Sequence, residues 1–462
     1  MKNIILLITD TYRYDNLKGR SRFSIKTPQL DSFADERATS IEKFFTGSFP
    51  TIPHRTDLAQ SVLGWPHYPW QAIDESGPNH VAKILADSGY VTQLICDCPH
   101  LFKARFQLDF DAAYHNRGQE GDKFLLHLND PIEEVMALEK TRRDAGFQGH
   151  TLGNIARWSN RYPRYEDETF ISRTCRTAVR WLEENSNANP FFLWVDFFDL
   201  HEPWDPPEYL VKRHDPDYTG PPMIHPNYGP ASDYTPAELK NMQAHYAAEA
   251  ELVDRMLGRL IQKIEDLQLW QESIVVITTD HGFSIGDHDR TGKTNTHPED
   301  PNYWPIYPEV GHIPFMIAGS GIPAGRSLNL IAQPIDILPT LCELAGATVN
   351  PPQPFKGLSF AGAVRDSGET HRDIEVSGGY VDPQSGTVPP KATTPFVASD
   401  KWGYAPVGPG GKAELFDLDQ DPFADRNIAA ENNAVVQDLH EKFIGHLREH
   451  GADDEHLRLW KR

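Results

Sequence analysis

The sequence predicts an α/β protein: a doubly wound, mostly parallel sheet with a small C-terminal α+β subdomain. Three observations carry this. Short, continuously apolar runs recur along the chain, the pattern of parallel strands buried on both faces. Amphipathic helical stretches alternate with those runs, as in βαβ units. Three of the runs end in Asp or Asp/His clusters, and in open α/β sheets ligands gather at those strand ends.

Ile4 to Thr9 is the first strand, with Asp10 at its C-terminal end. Met1-Lys2 followed by an apolar run also suits a signal peptide, but the run is only five residues long and no small-residue cleavage site follows. Thr27-Pro28-Gln29-Leu30-Asp31 opens a short helix. Asn79 to Asp87 reads as a helix that stops at Gly89, and Tyr90 to Cys96 as the next strand, running into Asp97, Cys98, Pro99 and His100. Cys96 and Cys98 are too close together for a zinc knuckle and read as core residues. Asn116 to Tyr165 is polar and irregular, an insertion expected over the active face.

Glu168 to Glu184 is an amphipathic helix feeding the strand Phe191 to Phe198, which delivers Asp199, His201, Glu202, Pro203 and Trp204. Thr235-Pro236-Ala237-Glu238 is a helix start with a cap, a first-position proline and a nearby acid. Leu239, Met242, Tyr246, Ala250, Val253, Leu257, Leu260 and Ile264 then hold helical spacing on one face. Ser273 to Thr279 is a further buried strand, ending in Asp280-His281-Gly282. Beyond about Val364 the texture changes to short apolar runs among proline, glycine and threonine, with a final helix over about Asn433 to His446. The expected division is a catalytic domain over residues 1–365 and a subdomain of antiparallel strands and a terminal helix over 366–462.

At 462 residues, 39% of them hydrophobic, the chain can bury a large core, and no apolar run is long enough to span a bilayer. Against 44 basic residues stand 66 acidic ones, a formal net charge of -22. That argues against a nucleic-acid or anionic-membrane partner, so any anion site must be built locally. Four cysteines do not make a disulfide framework, and a cytoplasmic protein is expected. A homo-oligomer stays open.

The stretch that concentrates chemistry is Ser48-Phe49-Pro50-Thr51-Ile52-Pro53-His54-Arg55. Ser48 or Thr51 can open a helix, with Pro53 in its first turn. Such a helix aims free N–H groups and its positive end above Thr51. Arg55, one turn on, offers a flat bidentate fork for a tetrahedral anion, with Thr51 as nucleophile. An ordinary helix start with a surface arginine has the same composition. Asp10, Thr51, Asp280 and His281 can meet above the sheet. Two carboxylates, an imidazole and a hydroxyl make a mixed oxygen and nitrogen site, better suited to Zn²⁺ or Mn²⁺ than to Mg²⁺ or Ca²⁺. Such an ion lowers the pKa of a threonine hydroxyl, otherwise a weak nucleophile. His201, Lys293 and His312 sit at similar strand ends and, as a set, can bind anion oxygens and protonate a leaving group.

With these residues the chain resembles the sulfatase-like branch of the alkaline phosphatase superfamily. The similarity runs through Ile8-Thr9-Asp10-Thr11, Thr27-Pro28-Gln29-Leu30-Asp31, Thr51-Ile52-Pro53-His54-Arg55 and Thr279-Asp280-His281-Gly282. It continues in Gly286-Asp287-His288, Lys293, His312-Ile313-Pro314 and Glu414-Leu415-Phe416-Asp417-Leu418 through Pro422. The resemblance implies a metal at the tip of a mixed sheet, a small anionic ester as substrate and a covalent intermediate on Thr51. It also implies that Arg55, His201 and Lys293 contact the anion and leaving group. Its sulfatases carry Cys or Ser, matured to formylglycine, where this chain has Thr51. A threonine cannot form that aldehyde, because its Cβ bears a methyl group. Thr11 stands in place of the family's paired acid and Asp97 in place of a lysine. These departures move phosphate diesters and phosphonate monoesters ahead of sulfate esters, with a sulfatase or an inactive anion-binding homologue as alternatives. His312, Asp97 and His100 are expected around the substrate. Two-metal relatives would draw on Asp196 or Asp199, His201 and His312; one metal is expected.

Overall fold

The computed structural model describes residues 1–120, 122, 140, 155–156, 158–159, 165–188, 190–366 and 372–461. Most of the expected insertion between Asn116 and Tyr165 therefore lies outside the described residues.

An eight-stranded sheet forms the centre. Its strands are β1 (Asn3–Thr9), β2 (Thr39–Phe44), β3 (Val91–Cys96), β4 (Ala112–His115), β5 (Phe191–Asp196), β6 (Ser273–Thr279), β7 (Phe315–Gly319) and β8 (Arg326–Ala332). The spatial order is β8-β2-β7-β6-β1-β5-β3-β4. All pairs are parallel except those of β7, which runs antiparallel to both β6 and β2, so the sheet is mixed and mostly parallel. The even residues of β1, Ile4, Leu6 and Ile8, pack into one apolar layer, and the odd residues Ile5 and Leu7 into the other. Burial on both faces is why these strands read as unbroken apolar runs rather than alternating ones.

Among the described residues, the helices that cover this sheet include α1 (Pro28–Glu36), α2 (Thr51–Gln60), α3 (Val81–Asp87), α4 (Phe170–Asn185), α5 (Pro236–Asp266) and α6 (Ile337–Ala345); α7 (Asn433–Glu449) belongs to the C-terminal part. Helix α5 starts as its sequence predicts. Thr235 accepts from the Glu238 N–H, and the Glu238 carboxylate accepts from the Thr235 N–H, closing a capping box. The start of α2 differs from expectation. It begins at Thr51 with Pro50 before it, and no side chain among the described residues caps it. Ser48 is drawn off by tertiary contacts: its hydroxyl accepts from the Trp65 N–H at 2.9 Å, and its own N–H donates to Asp57 at 2.9 Å.

The C-terminal sheet comprises β9 (Ile374–Gly379), β10 (Phe396–Ser399), β11 (Trp402–Ala405) and β12 (Glu414–Asp417), paired antiparallel in that order. Helix α7 packs on it through Val436, Leu439, Phe443 and Leu447. The two-residue strand Ser48–Phe49 joins this sheet, pairing parallel with Gly378 and Gly379. A division of the chain at 365/366 is thus crossed by the residues just before Thr51. The loop that starts α2 is clamped between the two sheets, which the local sequence does not announce.

Candidate active site

The C-terminal ends of β1, β5 and β6 lie side by side, because β1 pairs with both neighbours in parallel register. This places Asp10, the turn from Asp199 to His201, and Asp280-His281 around one point. The turns are tied together by backbone: Leu200 N–H donates to the Asp10 carbonyl at 2.7 Å, and Asp10 N–H to the Asp199 carbonyl at 3.3 Å. Beyond β6 the chain folds back as a hairpin of Ser284–Ile285 and Arg290–Gly292, which returns Lys293 to the same end.

Among the described residues, Asp10, Asp280 and His281 are the group whose potential metal-ligand atoms all lie within 4.8 Å of one another. All three are fully buried. The His281 ring is oriented by its Nδ1–H, which donates to the Gly282 carbonyl at 2.9 Å. Its Nε2 points back toward the carboxylates, 3.5 Å from Asp280 Oδ2 and 3.9 Å from Asp10 Oδ1, with no hydrogen bond among the described residues. Burial holds the imidazole neutral, its pKa pushed down to about 4. Burial and the neighbouring Asp280 push Asp10 well up. Asp280 stays ionised: against burial, which raises it, His281 and Arg55 hold its pKa well below the usual range. A neutral imidazole with a free Nε2, held by its other nitrogen and facing two carboxylates, is the donor set a divalent cation requires. The residues fit a divalent metal ion.

Two features of the motif explain the geometry. Gly282 is required by close approach: a Cβ there would lie 2.1 Å from the Glu309 carbonyl oxygen. Without one, Gly282 N–H reaches the Val310 carbonyl at 2.7 Å. Thr11 adopts a left-handed backbone, φ 59°, a costly conformation for a β-branched residue. It thereby donates its N–H to Asp280 Oδ1 at 3.1 Å and its hydroxyl to Asp10 Oδ1 at 2.7 Å. In the sequence Thr11 stands out only as a departure from a family pattern. The structure makes it the brace that fixes both carboxylates.

Arg55 does not stand open as a fork. Its Nε and Nη2 are both taken by Asp196, at 2.8 and 2.9 Å, in a bidentate pair that is fully buried. Nη1 reaches Asp280 Oδ2 at 2.6 Å, Asp10 Oδ2 at 3.3 Å and the Thr51 carbonyl at 3.3 Å. It therefore links β1, β5, β6 and the first turn of α2, and its single charge offsets part of that of the buried carboxylates around it. Thr51 is buried at the uncapped N-terminus of α2. Phe49, two residues earlier, packs its ring 5.0 Å from that of His281. His54, given no role from sequence, is also fully buried beside Asp280 and His281. Neither of its ring nitrogens has a hydrogen bond among the described residues, and burial lowers its pKa to about 3.

The remaining expected residues divide. Lys293 is buried, its ammonium makes no hydrogen bond among the described residues, and its charge acts on Asp10, His201 and His281. His201 donates from Nδ1 to the Glu202 carbonyl at 2.7 Å; burial, then Lys293, hold its pKa well below the ordinary value. His100 lies close by in an aromatic run, its ring 5.5 Å from Phe198, which stacks on His201 at 4.1 Å. Asp97, expected to touch substrate, is fully buried with both oxygens engaged, by Thr174 at 2.7 Å and the Phe198 N–H at 2.6 Å. It braces the turn leading to His201. His312, also expected at the substrate, stacks between Tyr14 at 3.8 Å and Phe45 at 4.7 Å and donates to the Glu42 carbonyl. These contacts place it in a groove with Tyr14, Arg20 and Glu42, whose lining includes none of Asp10, Thr51, Asp280 and His281. Asp196 is held by Arg55, and Asp199 accepts from Gln119, so both carboxylates named for a second metal are engaged by other side chains.

Comparison with known proteins agrees with this fold. The Sulfatase family model matches residues 2–347. Arylsulfatase K of Homo sapiens is 26% identical over 95% of this chain and 81% of its own length. The Clostridium perfringens arylsulfatase is 23% identical over 91% of this chain and 88% of its own. The crystal structure of the phosphonate monoester hydrolase of Agrobacterium radiobacter shares the fold with a TM-score of 0.72, at 21% identity over 97% of this chain and 96% of that one. A structure bound to its substrate D-glucosamine-2-N, 6-O-disulfate also superposes with a TM-score of 0.72, at 16% identity over 98% of this chain and 99% of that one. With the matched model spanning most of its length, the chain belongs to the sulfatase family, the sulfatase-like branch of the alkaline phosphatase superfamily.

Proposed function

We propose that this protein is a metal-dependent ester hydrolase acting on singly charged phosphorus esters, phosphodiesters or phosphonate monoesters, through Thr51. The observation that carries the phosphorus reading is Thr51 itself, whose Cβ methyl bars the aldehyde by which sulfatases expel sulfate. Asp10, Asp280 and His281, with the Thr51 hydroxyl, would hold one divalent ion, Zn²⁺ or Mn²⁺ by donor type. Bound there, the ion supplies charge neutralisation and acidifies a hydroxyl.

The chain's own residues do the rest. Thr51 Oγ1 forms a bond to phosphorus as the ester P–O bond breaks opposite it, and its proton passes to solvent. The free N–H groups of α2 face the developing charge. Lys293 gives a proton to the departing oxygen. His201 suits the second half. Its Nδ1 is committed as a donor, so Nε2 is an acceptor that can take a proton from water attacking phospho-Thr51. Arg55 is a positioning residue, spending its donors on Asp196, Asp280 and Asp10. With Asp97 off the site, the preference for one negative charge rests on Asp10, Asp280 and the acidic chain as a whole.

Sulfate esters are the second reading, favoured by the arylsulfatase names of the matching relatives. The test is a panel of aryl phosphate, phosphodiester, phosphonate monoester and sulfate ester at one pH and one metal. The highest kcat/KM is expected on a singly charged phosphorus ester, with Thr51→Ala losing on the order of 10³-fold in kcat. Sulfate turned over fastest by unmodified protein reverses the order. Undiminished activity in Thr51→Ala removes the nucleophile.

A further inference from the structure

The groove that holds His312 is a cavity of about 520 Å³. One wall is made by Tyr14, Phe45 and His312 of the catalytic part, the other by Leu418, Pro422 and Phe423 of the C-terminal part. The volume is that of a small-molecule site, and the reaction proposed above makes no use of it.

His312 is the polar centre of this cavity. Both faces of its ring are covered, by Tyr14 at 3.8 Å and by Phe45 at 4.7 Å, so a ligand can reach only its edge. On that edge Nε2–H is spent on the Glu42 carbonyl at 2.7 Å. Burial keeps the imidazole neutral, its pKa pushed down to about 4. Nδ1 therefore carries a lone pair, and no donor among the described residues reaches it.

The charges of the wall are already matched. Asp15 is held by Arg13 at 2.7 Å and Glu309 by His288 at 2.9 Å. Arg20 faces Glu42 at 3.5 Å and lies over the Tyr14 ring, while Lys43 faces Asp400 at 2.5 Å. Asp419 is exposed, where water and salt screen its charge. An anion would have to draw Arg20 or Lys43 from its carboxylate, and a cation would have to draw a carboxylate from its partner. An uncharged flat ring buries against Phe45, Leu418, Pro422 and Phe423 without disturbing any pair. Such a ring gains a hydrogen bond if it brings one N–H to His312 Nδ1.

We infer that this cavity is a binding site, separate from the metal cluster, for a small uncharged heteroaromatic compound bearing a ring N–H, with His312 Nδ1 as the acceptor that selects it. The inference does not depend on which ester the protein cleaves.

The probe is indole, and the control is benzofuran, which has an oxygen in place of the N–H. Both are titrated calorimetrically into the metal-loaded full chain. Indole is expected to bind with a Kd below about 1 mM, within what about nine non-hydrogen atoms can supply. Benzofuran is expected to bind about fivefold more weakly, the worth of one neutral hydrogen bond. In His312→Phe, which keeps a ring in the stack, the two should bind alike. In Phe423→Ala both should weaken several-fold. Tryptamine and indole-3-acetate, the cationic and anionic analogues, should bind no more tightly than indole. No indole binding at about 1 mM overturns the inference, as does an advantage of indole over benzofuran that survives in His312→Phe. A charged analogue bound about tenfold more tightly than indole overturns the ligand class. Should His312→Phe not fold, Phe423→Ala decides: indole affinity unchanged there puts indole elsewhere and overturns the site.

Discussion

Replacing Arg55 with lysine separates two roles that a buried arginine beside an anion site can play. In the structure Arg55 spends Nε and Nη2 on Asp196 at 2.8 and 2.9 Å, and Nη1 on Asp280 at 2.6 Å. A lysine ammonium can replace one of these directions but not the planar pair. Charge-assisted hydrogen bonds are each worth about 1.5–3 kcal/mol, and the carboxylate left behind is fully buried. Arg55→Lys should therefore cost about 3–5 kcal/mol, read as a lowered urea midpoint at unchanged slope. Asp196→Asn should be destabilising too. The double variant should cost less than the two single losses together, with a coupling of at least about 2 kcal/mol, because both changes break one contact. Activity should fall in both single variants, Asp196→Asn included, although both Asp196 oxygens are taken by Arg55. If Arg55→Lys keeps wild-type stability and merely raises KM, the arginine is an anion contact and the positioning argument is wrong.

The other expectations concern metal and pH. Elemental analysis should find one divalent ion per chain, and His281→Ala, which removes the free Nε2, should lower occupancy at least tenfold; two ions at full occupancy would require ligands this site does not gather. His288 joins the catalytic and C-terminal parts, bonding Glu309 at 2.9 Å and the Ala424 carbonyl at 2.9 Å. Burial opposes its charge, but Glu309 prevails and its pKa is raised to about 9. A raised folded-state pKa stabilises fully below the unfolded value of about 6.5 and is lost as pH climbs through about 9, a span worth roughly 3 kcal/mol. The melting temperature should thus fall by a few degrees between pH 6.5 and 9.5, and His288→Gln should flatten that slope; a parallel decline in the variant would show that other groups are responsible.

By itself the sequence determined the elements whose signals are local. Continuous apolar runs gave β1, β3, β5 and β6 nearly to the residue, because burial on both faces leaves no polar position to blur the pattern. The capping box at Thr235 gave the start of α5, since cap and acid are three residues apart. Asp10 and Asp280-His281 could be paired in advance because adjacent parallel strands end at one level. What tertiary structure alone decided was the use of each polar group. Ser48 reads as a cap but serves Trp65, 17 residues on. Arg55 reads as an open fork but is closed by Asp196, 141 residues away. Asp97 and His312 share strand-end positions with the ligands, yet Thr174 turns one into a brace and Tyr14 holds the other in a separate groove. The physical reason is common to all four. A hydrogen-bonding side chain goes to whichever partner the packed interior leaves unsatisfied, and that partner is set by neighbours distant in sequence.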